Sequence, residues 1–254
     1  MLRTLPQGVQ HKRWAVRPDL APWIEHIWWV QWDLEQPFDV QTLPHPAVHF
    51  TLEQQGWIGG PSTAPFTRTL LGKGEVLGIK FRPGGFRDWS TSSVHLLADR
   101  RVLASGVVAA LAAPVWALWQ QDLPAIERGV QVQSLLSEHL PELSAETQAL
   151  HQWMAWLQEN QDLSRVEQLA ERTGLGVRAI QRRFREWVGV SPKWVLRRVR
   201  MLRAVEAIKA QKHMDLSGLA FELGYADLAH FSRDFKATVG LAPSAFGAGL
   251  VGRD

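Results

Sequence analysis

The chain has 254 residues, 46% of them hydrophobic, with a formal net charge of +3 at neutral pH. That length and apolar content suit one or two domains with real cores. Cysteine is absent, which excludes disulfide frameworks, thiolate metal sites and thiol catalysis and is compatible with a reducing cytoplasm. The opening MLRTLPQGVQHKR lacks the apolar core of a secretory signal, so a cytoplasmic location is expected. The charge is uneven: residues 161–254 hold 16 Lys and Arg against 10 Asp and Glu, and residues 1–160 hold 12 against 15. A polyanionic partner is therefore expected for the second half and not for the first.

Taken in order, residues 1–20 are polar and give no clear element. Ala21–Leu34 leads from a short turn into a strand rich in Trp28, Trp29, Val30 and Trp32. A turn is expected at Gln36-Pro37, a strand just past Pro46, and another over Trp57–Gly60. Phe66–Leu71 and Glu75–Phe81 flank Gly72-Lys73-Gly74, which reads as a hairpin turn. Short strands at this spacing predict a small antiparallel sheet or partial barrel. Beyond FRPGGFRDW (81–89), residues 96–121 and 123–139 read as mainly helical, interrupted at Pro114 and Pro124. Val102–Trp119 carries no charge, but with Pro114, Ser105 and Gly106 it suits a buried helix better than a membrane span. Pro141–Ser144 marks a boundary, placed near residue 142, and Ser144, Thr147 and the apolar spacing of Leu150, Met154 and Leu157 announce a new helix.

The second half states one pattern twice, in LAERTGLGVRAIQRRFREWVGVSP (169–192) and LAFELGYADLAHFSRDFKATVGLAP (219–243). Each copy has Leu-Ala before a glycine, then Arg-x-Phe, then Gly and Pro at equal spacing, which is an internal repeat of about 50 residues. Each has the grammar of a helix-turn-helix, with a glycine suited to a left-handed cap between two helices. The units are expected at about 163–189 and 215–240, joined by a connecting helix of about 192–211. Ile180, Phe184, Trp187 and Val188 form one stripe of the first copy's second helix, and Phe231, Phe235 and Val239 one stripe of the second's. The opposite stripes carry Arg178, Gln181, Arg182 and Arg185 in the first copy, and Ala229, Ser232, Arg233 and Lys236 in the second, with Leu228 and His230 near the helix start.

An Arg-rich stripe on an isolated helix is usually a solvated face. On the second helix of a helix-turn-helix, twice, in a basic region, it is better suited to bonding base edges. Arg178, Gln181 and Arg182 are the expected base readers, with His230, Ser232 and Arg233 in the second copy; Arg185 and Lys236 fit phosphates. Arg182 and Arg233 occupy equivalent positions, which leaves a structural role open for them. On the connector, Trp194, Val195, Val199 and Leu202 are the expected packing side, and Arg197, Arg198, Arg200 and Arg203 divide between phosphate contacts and solvation.

These residues carry a resemblance. RAIQRRFREWVGVSPKWVLRRVRMLRA followed by LAFELGYADLAHFSRDFKATVGLAPSAF resembles the DNA-binding domain of the AraC/XylS family of bacterial transcription regulators, over roughly residues 147–248, with Ala242-Pro243 where Ser-Pro is commoner. APWIEHIWWVQW, LPHPAVHF and GIKFRPGGFR, within residues 15–105, resemble an N-terminal domain that accompanies some of these regulators. The resemblance implies an α+β sensor or regulatory domain over 1–142 and an all-α domain of two helix-turn-helix units over 143–254. It also implies double-stranded promoter DNA as partner, RNA polymerase as a further one, and modulation by a small-molecule effector or by homodimerisation through the first half.

No enzymatic motif is present: the phosphate-binding Gly-x-x-x-x-Gly-Lys-Ser/Thr, His-Glu-x-x-His and Gly-x-Ser-x-Gly are all missing. The expectation is a protein that is not an enzyme and holds no cofactor. Two rival readings remain. His45 and His49, with His26 and His95 elsewhere, could serve a metal-dependent cupin-like enzyme domain fused to the DNA-binding module, although a spacing of four on a strand aligns them without a metal. Alternatively, the first domain is a pure interaction module. Nine of the 13 tryptophans precede residue 120, as core residues or as pocket walls; Trp28, Trp32, His45, Arg82 and Phe86 are the candidate pocket residues.

Overall fold

The computed structural model describes residues 5–160, 163, 165–210 and 215–251. Met1–Thr4, in the stretch read for a signal segment, and Gln211, the predicted last residue of the connector, lie outside them.

The first half is built on a six-stranded antiparallel sheet, order β1-β2-β5-β3-β4-β6. The strands are β1 (Val9–Trp14), β2 (Ile24–Thr42), β3 (His49–Leu52), β4 (Gly56–Gly59), β5 (Phe66–Phe81) and β6 (Arg101–Leu103). Alternation sets the two faces: Ile27 and Trp29 enter the main core with Phe50, Leu77 and Ile79, whereas Val30 and Trp32 pack with Leu70 and Val76 in a second cluster. Three short 3-10 turns follow β5 and flank β6. Helices α1 (Ala109–Trp119) and α2 (Ala125–Glu138) then close the main core.

Two expectations are corrected here. The predicted turns at Gln36-Pro37 and Gly72–Gly74 do not exist; β2 and β5 run straight through them and pair with each other. Between Leu34↔Gly72 and Phe38↔Leu70, three residues of β2 face one of β5. Pro37, which has no N–H to give a ladder, sits in that bulge, and Gly72 at φ 62 absorbs the bend. Pro114 likewise does not interrupt the helix but lies inside α1.

The second half is helical: α3 (Ala145–Glu159), α4 (Val166–Thr173), α5 (Val177–Arg183, prolonged by a π-helical turn over Phe184–Val188), α6 (Pro192–Ala210), α7 (Leu216–Glu222), α8 (Leu228–Val239) and α9 (Pro243–Val251). Ser144 caps α3 by accepting from the Thr147 N–H at 3.1 Å. Ile180, Phe184 and Val188 pack with Leu169, Val195 and Val199 in one core, and Phe231, Phe235 and Val239 with Tyr225, Val205 and Ile208 in another. The connector α6 serves both cores with successive turns, Val195–Val199 for the first and Met201–Ile208 for the second.

No described helix is long and apolar enough to cross a membrane.

Candidate nucleic-acid interface

Four glycines set the geometry of the two repeats. Gly174 and Gly224 end the first helices at φ 68 and 76, and Gly189 and Gly240 end the second at φ 83 and 88. Each left-handed residue lets its helix stop and turn at the same point in both copies. Asp227 fixes the start of α8 by accepting from the His230 N–H at 2.6 Å.

Burial of the apolar stripes leaves Arg178, Gln181, Arg182 and Arg185 exposed on α5, and His230, Arg233 and Lys236 exposed on α8, with Ser232 half-buried. Among the described residues Arg178, Arg182, Arg233 and Lys236 have no side-chain hydrogen bond or ion pair. The structural role left open for Arg182 and Arg233 thus has no partner among those residues. Two other candidates are engaged. The Arg185 Nη2 donates to His95 Nε2 of the N-terminal half at 3.1 Å, and the His230 ring meets the Tyr225 ring edge-on at 5.0 Å.

The arginines of α6 are tied down. Arg197 lies 3.6 Å from Asp234, Arg200 stands over the Tyr225 ring at 4.8 Å, and Arg203 donates to the Gln158 and Asn160 carbonyls at 2.9 and 3.1 Å. Burial and the Arg200 charge act oppositely on the Tyr225 hydroxyl; burial prevails and, with Asp234 accepting its proton at 2.9 Å, pushes its pKa up. Arg198 reaches back to the first half, donating to the Pro44 carbonyl and, at 2.8 Å, to His45 Nδ1. Burial lowers its pKa to about 10.

That contact belongs to a broad junction which the sequence did not reveal. Glu186 lies 3.7 Å from Arg87, whose guanidinium stands over Trp187 at 5.4 Å. A Cβ on Gly189 would meet Pro61 and Val94 at 2.9 Å. Leu43 packs against the core of the second unit, and Asp88 accepts from the Ser144 hydroxyl at 2.7 Å. The segment 41–45 therefore touches the connector through Pro44 and His45 and the second helix-turn-helix through Leu43.

The candidate pocket residues do not converge. Phe86 is buried against Phe81 in the main core. Trp28 and Trp32 lie across Gly78 and Gly74 on the neighbouring strand, where an added Cβ would come within 2.1 and 2.3 Å of the indoles. Arg82 donates to the Ala21 carbonyl at 2.7 Å. His45 serves Arg198, and His49 Nδ1 accepts from Trp28 Nε1 at 3.4 Å. Burial, reinforced by Lys80, drives the pKa of His45 down to about 2 and of His49 to about 3, so both are neutral acceptors. Burial of Glu25 raises its pKa, but His26 and Lys80 outweigh that and bring it to about 2. Among the described residues no group of three or more His, Cys, Asp or Glu is placed to hold a metal ion.

Among the described residues a groove opens on each half. One, about 590 Å³, lies between α3 and the first helix-turn-helix and includes Trp153, Trp156, Arg172 and Arg183. The other, about 570 Å³, lies on the first half and includes Glu53, Glu75, Trp116 and Arg128. Neither contains a candidate pocket residue. Arg172 and Arg183 escaped the sequence reading, although Arg183 carries a signal: it falls out of phase with the Arg178/Arg182 stripe.

Comparison with known proteins places these features. Residues 169–248 match a family described as a helix-turn-helix domain, and residues 12–103 a family described as a domain of unknown function, DUF6597. The HTH-type transcriptional activator RhaS of Salmonella schwarzengrund is 30% identical over 95 residues, covering 37% of this chain and 34% of that protein. RhaS of Escherichia fergusonii is 30% identical over 97 residues with the same coverage. The chain thus spans about a third of the length of these curated relatives. A probable AraC family regulator from Rhodopseudomonas palustris is similar at 26% identity over 41% of this chain and 97% of its own, with a TM-score of 0.37. ToxT from Vibrio cholerae is similar at 12% over 97% and 100%, with a TM-score of 0.43. Through its repeated helix-turn-helix and the sequence match that covers it, the second half carries a helix-turn-helix domain similar to that of transcriptional regulators such as RhaS.

Proposed function

We propose that the chain binds promoter DNA sequence-specifically and regulates transcription by placing α5 and α8 in successive major grooves. The carrying observation is the contrast among cations: Arg178, Arg182, Arg233 and Lys236 are exposed and unpaired on the two equivalent helices, while the arginines of α6 between them are consumed by internal contacts. At ~1.5 Å per residue the connector is roughly 28 Å long, comparable with the ~34 Å between successive grooves on one face of a duplex. Arg178, Gln181 and Arg182 read bases in the first copy; Ser232 and Arg233 read in the second, where Ala229 offers only a methyl. His230 supports this second reader from beside Tyr225, Lys236 meets phosphate, and Arg185 does so once freed from His95. Residues 1–142 act as the regulatory part, through an effector or dimerisation, because their junction with α5, α6 and the second unit lets any displacement there move the readers. RNA polymerase is the partner that such a regulator engages at a promoter.

The test is selection of genomic fragments by the full-length protein at near-physiological salt, repeated with Arg182→Ala. The expected result is one asymmetric motif, lost in the variant at one half only, with specific binding weakened by about 1 to 3 kcal/mol and non-specific binding nearly unchanged. Equal losses on specific and non-specific DNA would reduce Arg182 to a phosphate contact.

A further inference from the structure

We propose that the groove behind α5 is a binding site for a small organic anion with a flat apolar body, such as an arene carboxylate. Its volume, about 590 Å³, is in the range of small-ligand sites, roughly 300 to 1,000 Å³. Trp153 and Trp156, both half-buried, supply aromatic walls, and Gln152 and Thr173 supply polar atoms. Trp153 stacks on Phe184 with ring centres 6.3 Å apart. An aromatic guest against Trp153 would therefore lie one ring away from the core of the reading helix.

The charge of the guest follows from two cations that have no acidic partner among the described residues. Arg183 comes five positions after Arg178, about 140° further round the helix, so it points away from the stripe offered to DNA. Its guanidinium stands 5.8 Å from the Trp153 ring, and among the described residues it has no acidic partner. Arg172, exposed at the end of α4, has none either. Among the described residues Glu146 is the one acidic side chain in the lining, against Arg172 and Arg183, and this surplus of positive charge favours a monoanion. The other groove lacks this surplus. There Glu75 takes Arg128 at 3.0 Å, and Glu53, which contacts Arg68, also has Arg101 at 3.6 Å. A planar monoanion that stacks on indole and meets a guanidinium uses both surplus properties of the first groove at once.

The site does not depend on the DNA-binding reading, and its test needs no DNA. Calorimetric titration of the full-length protein with 4-phenylbenzoate, and with its uncharged analogue 4-phenylbenzamide, measures the charge requirement directly. The carboxylate should bind with Kd about 0.5 mM or tighter. Arg172→Gln and Arg183→Gln should each weaken it about tenfold, and the amide should bind the wild type about tenfold more weakly than the acid. Trp156→Phe, observed through the indole N–H resonances, identifies the Trp156 signal, which should move on titration. Equal binding of acid and amide, unchanged affinity in both Arg variants, or no binding at several millimolar would overturn the proposal. So would an acidic, aromatic peptide binding at the same indole signals where the arene carboxylate does not, an outcome that would make the groove a protein-docking face.

Discussion

Mild acid should destabilise this protein through His45 and His49. Both are held neutral in the fold, with pKa values near 2 and 3, by burial reinforced by the Lys80 charge, and they accept from Arg198 and Trp28. In the unfolded chain each has the ordinary value of about 6.5. Below that value the unfolded state binds protons that the native state refuses, so stability is complete above about pH 7 and falls as the pH falls. Between pH 7.5 and 5.5 each histidine costs about 1.4 kcal/mol, and the pair about 3 kcal/mol. The magnitude requires only that both folded values lie well below 5.5. Burial lowers the pKa of His11 and His151 too, so their effect has the same sign and the specific contribution must be isolated. Urea unfolding followed by tryptophan fluorescence at the two pH values, for wild type, His45→Asn and His49→Asn, does so, since Asn retains an acceptor without titrating. Each variant should lose about 1.4 kcal/mol of the pH dependence. An unchanged pH dependence in both variants would refute the assignment of neutral, buried imidazoles.

Further predictions concern the readers and their support. His95→Ala should free Arg185 for phosphate, steepening the salt dependence of DNA binding by about one phosphate contact, a slope change of about 0.9; an unaltered slope would mean that Arg185 does not reach the duplex. Phe235→Ala removes a fully buried ring from the second unit and should destabilise that unit by about 3 to 5 kcal/mol, visible as lost hydrogen-exchange protection in α8 with α5 less affected. Gly189→Ala combines a strained φ of 83 with a clash against Pro61 and Val94, and should loosen the junction enough to speed limited proteolysis between the halves. Ile126 and Val130, one turn apart on α2 and 56% and 55% exposed, are where a dimer through the first half would close; Val130→Glu should shift sedimentation towards monomer if it does.

What was legible in the sequence was whatever has a local cause. The repeats were readable because Gly174, Gly189, Gly224 and Gly240 occupy positions that need positive φ, and because Phe184 and Phe235 recur in helical phase. The long strands were not. Pro37 and Gly72 are turn residues by every local criterion, and only their pairing across β2 and β5 turns them into a bulge. Trp28 and Trp32 could be read as pocket walls as well as core residues, since nothing near them in sequence reveals that Gly78 and Gly74 lie beneath their indoles. Arg198 and His45 are 153 residues apart, and no periodicity connects them.

The segment 41–45 carries a consequence for how such chains are recombined. Leu43 fills part of the second unit's core and Pro44 occupies the connector's Arg198, so the cooperative unit does not stop where the sequence changes character near residue 142. Grafting the helical half onto a foreign N-terminal half would leave an apolar socket and a half-buried guanidinium exposed at the seam. A chimaera of that kind should regain stability when residues 41–45 of the donor are carried over with its helical half.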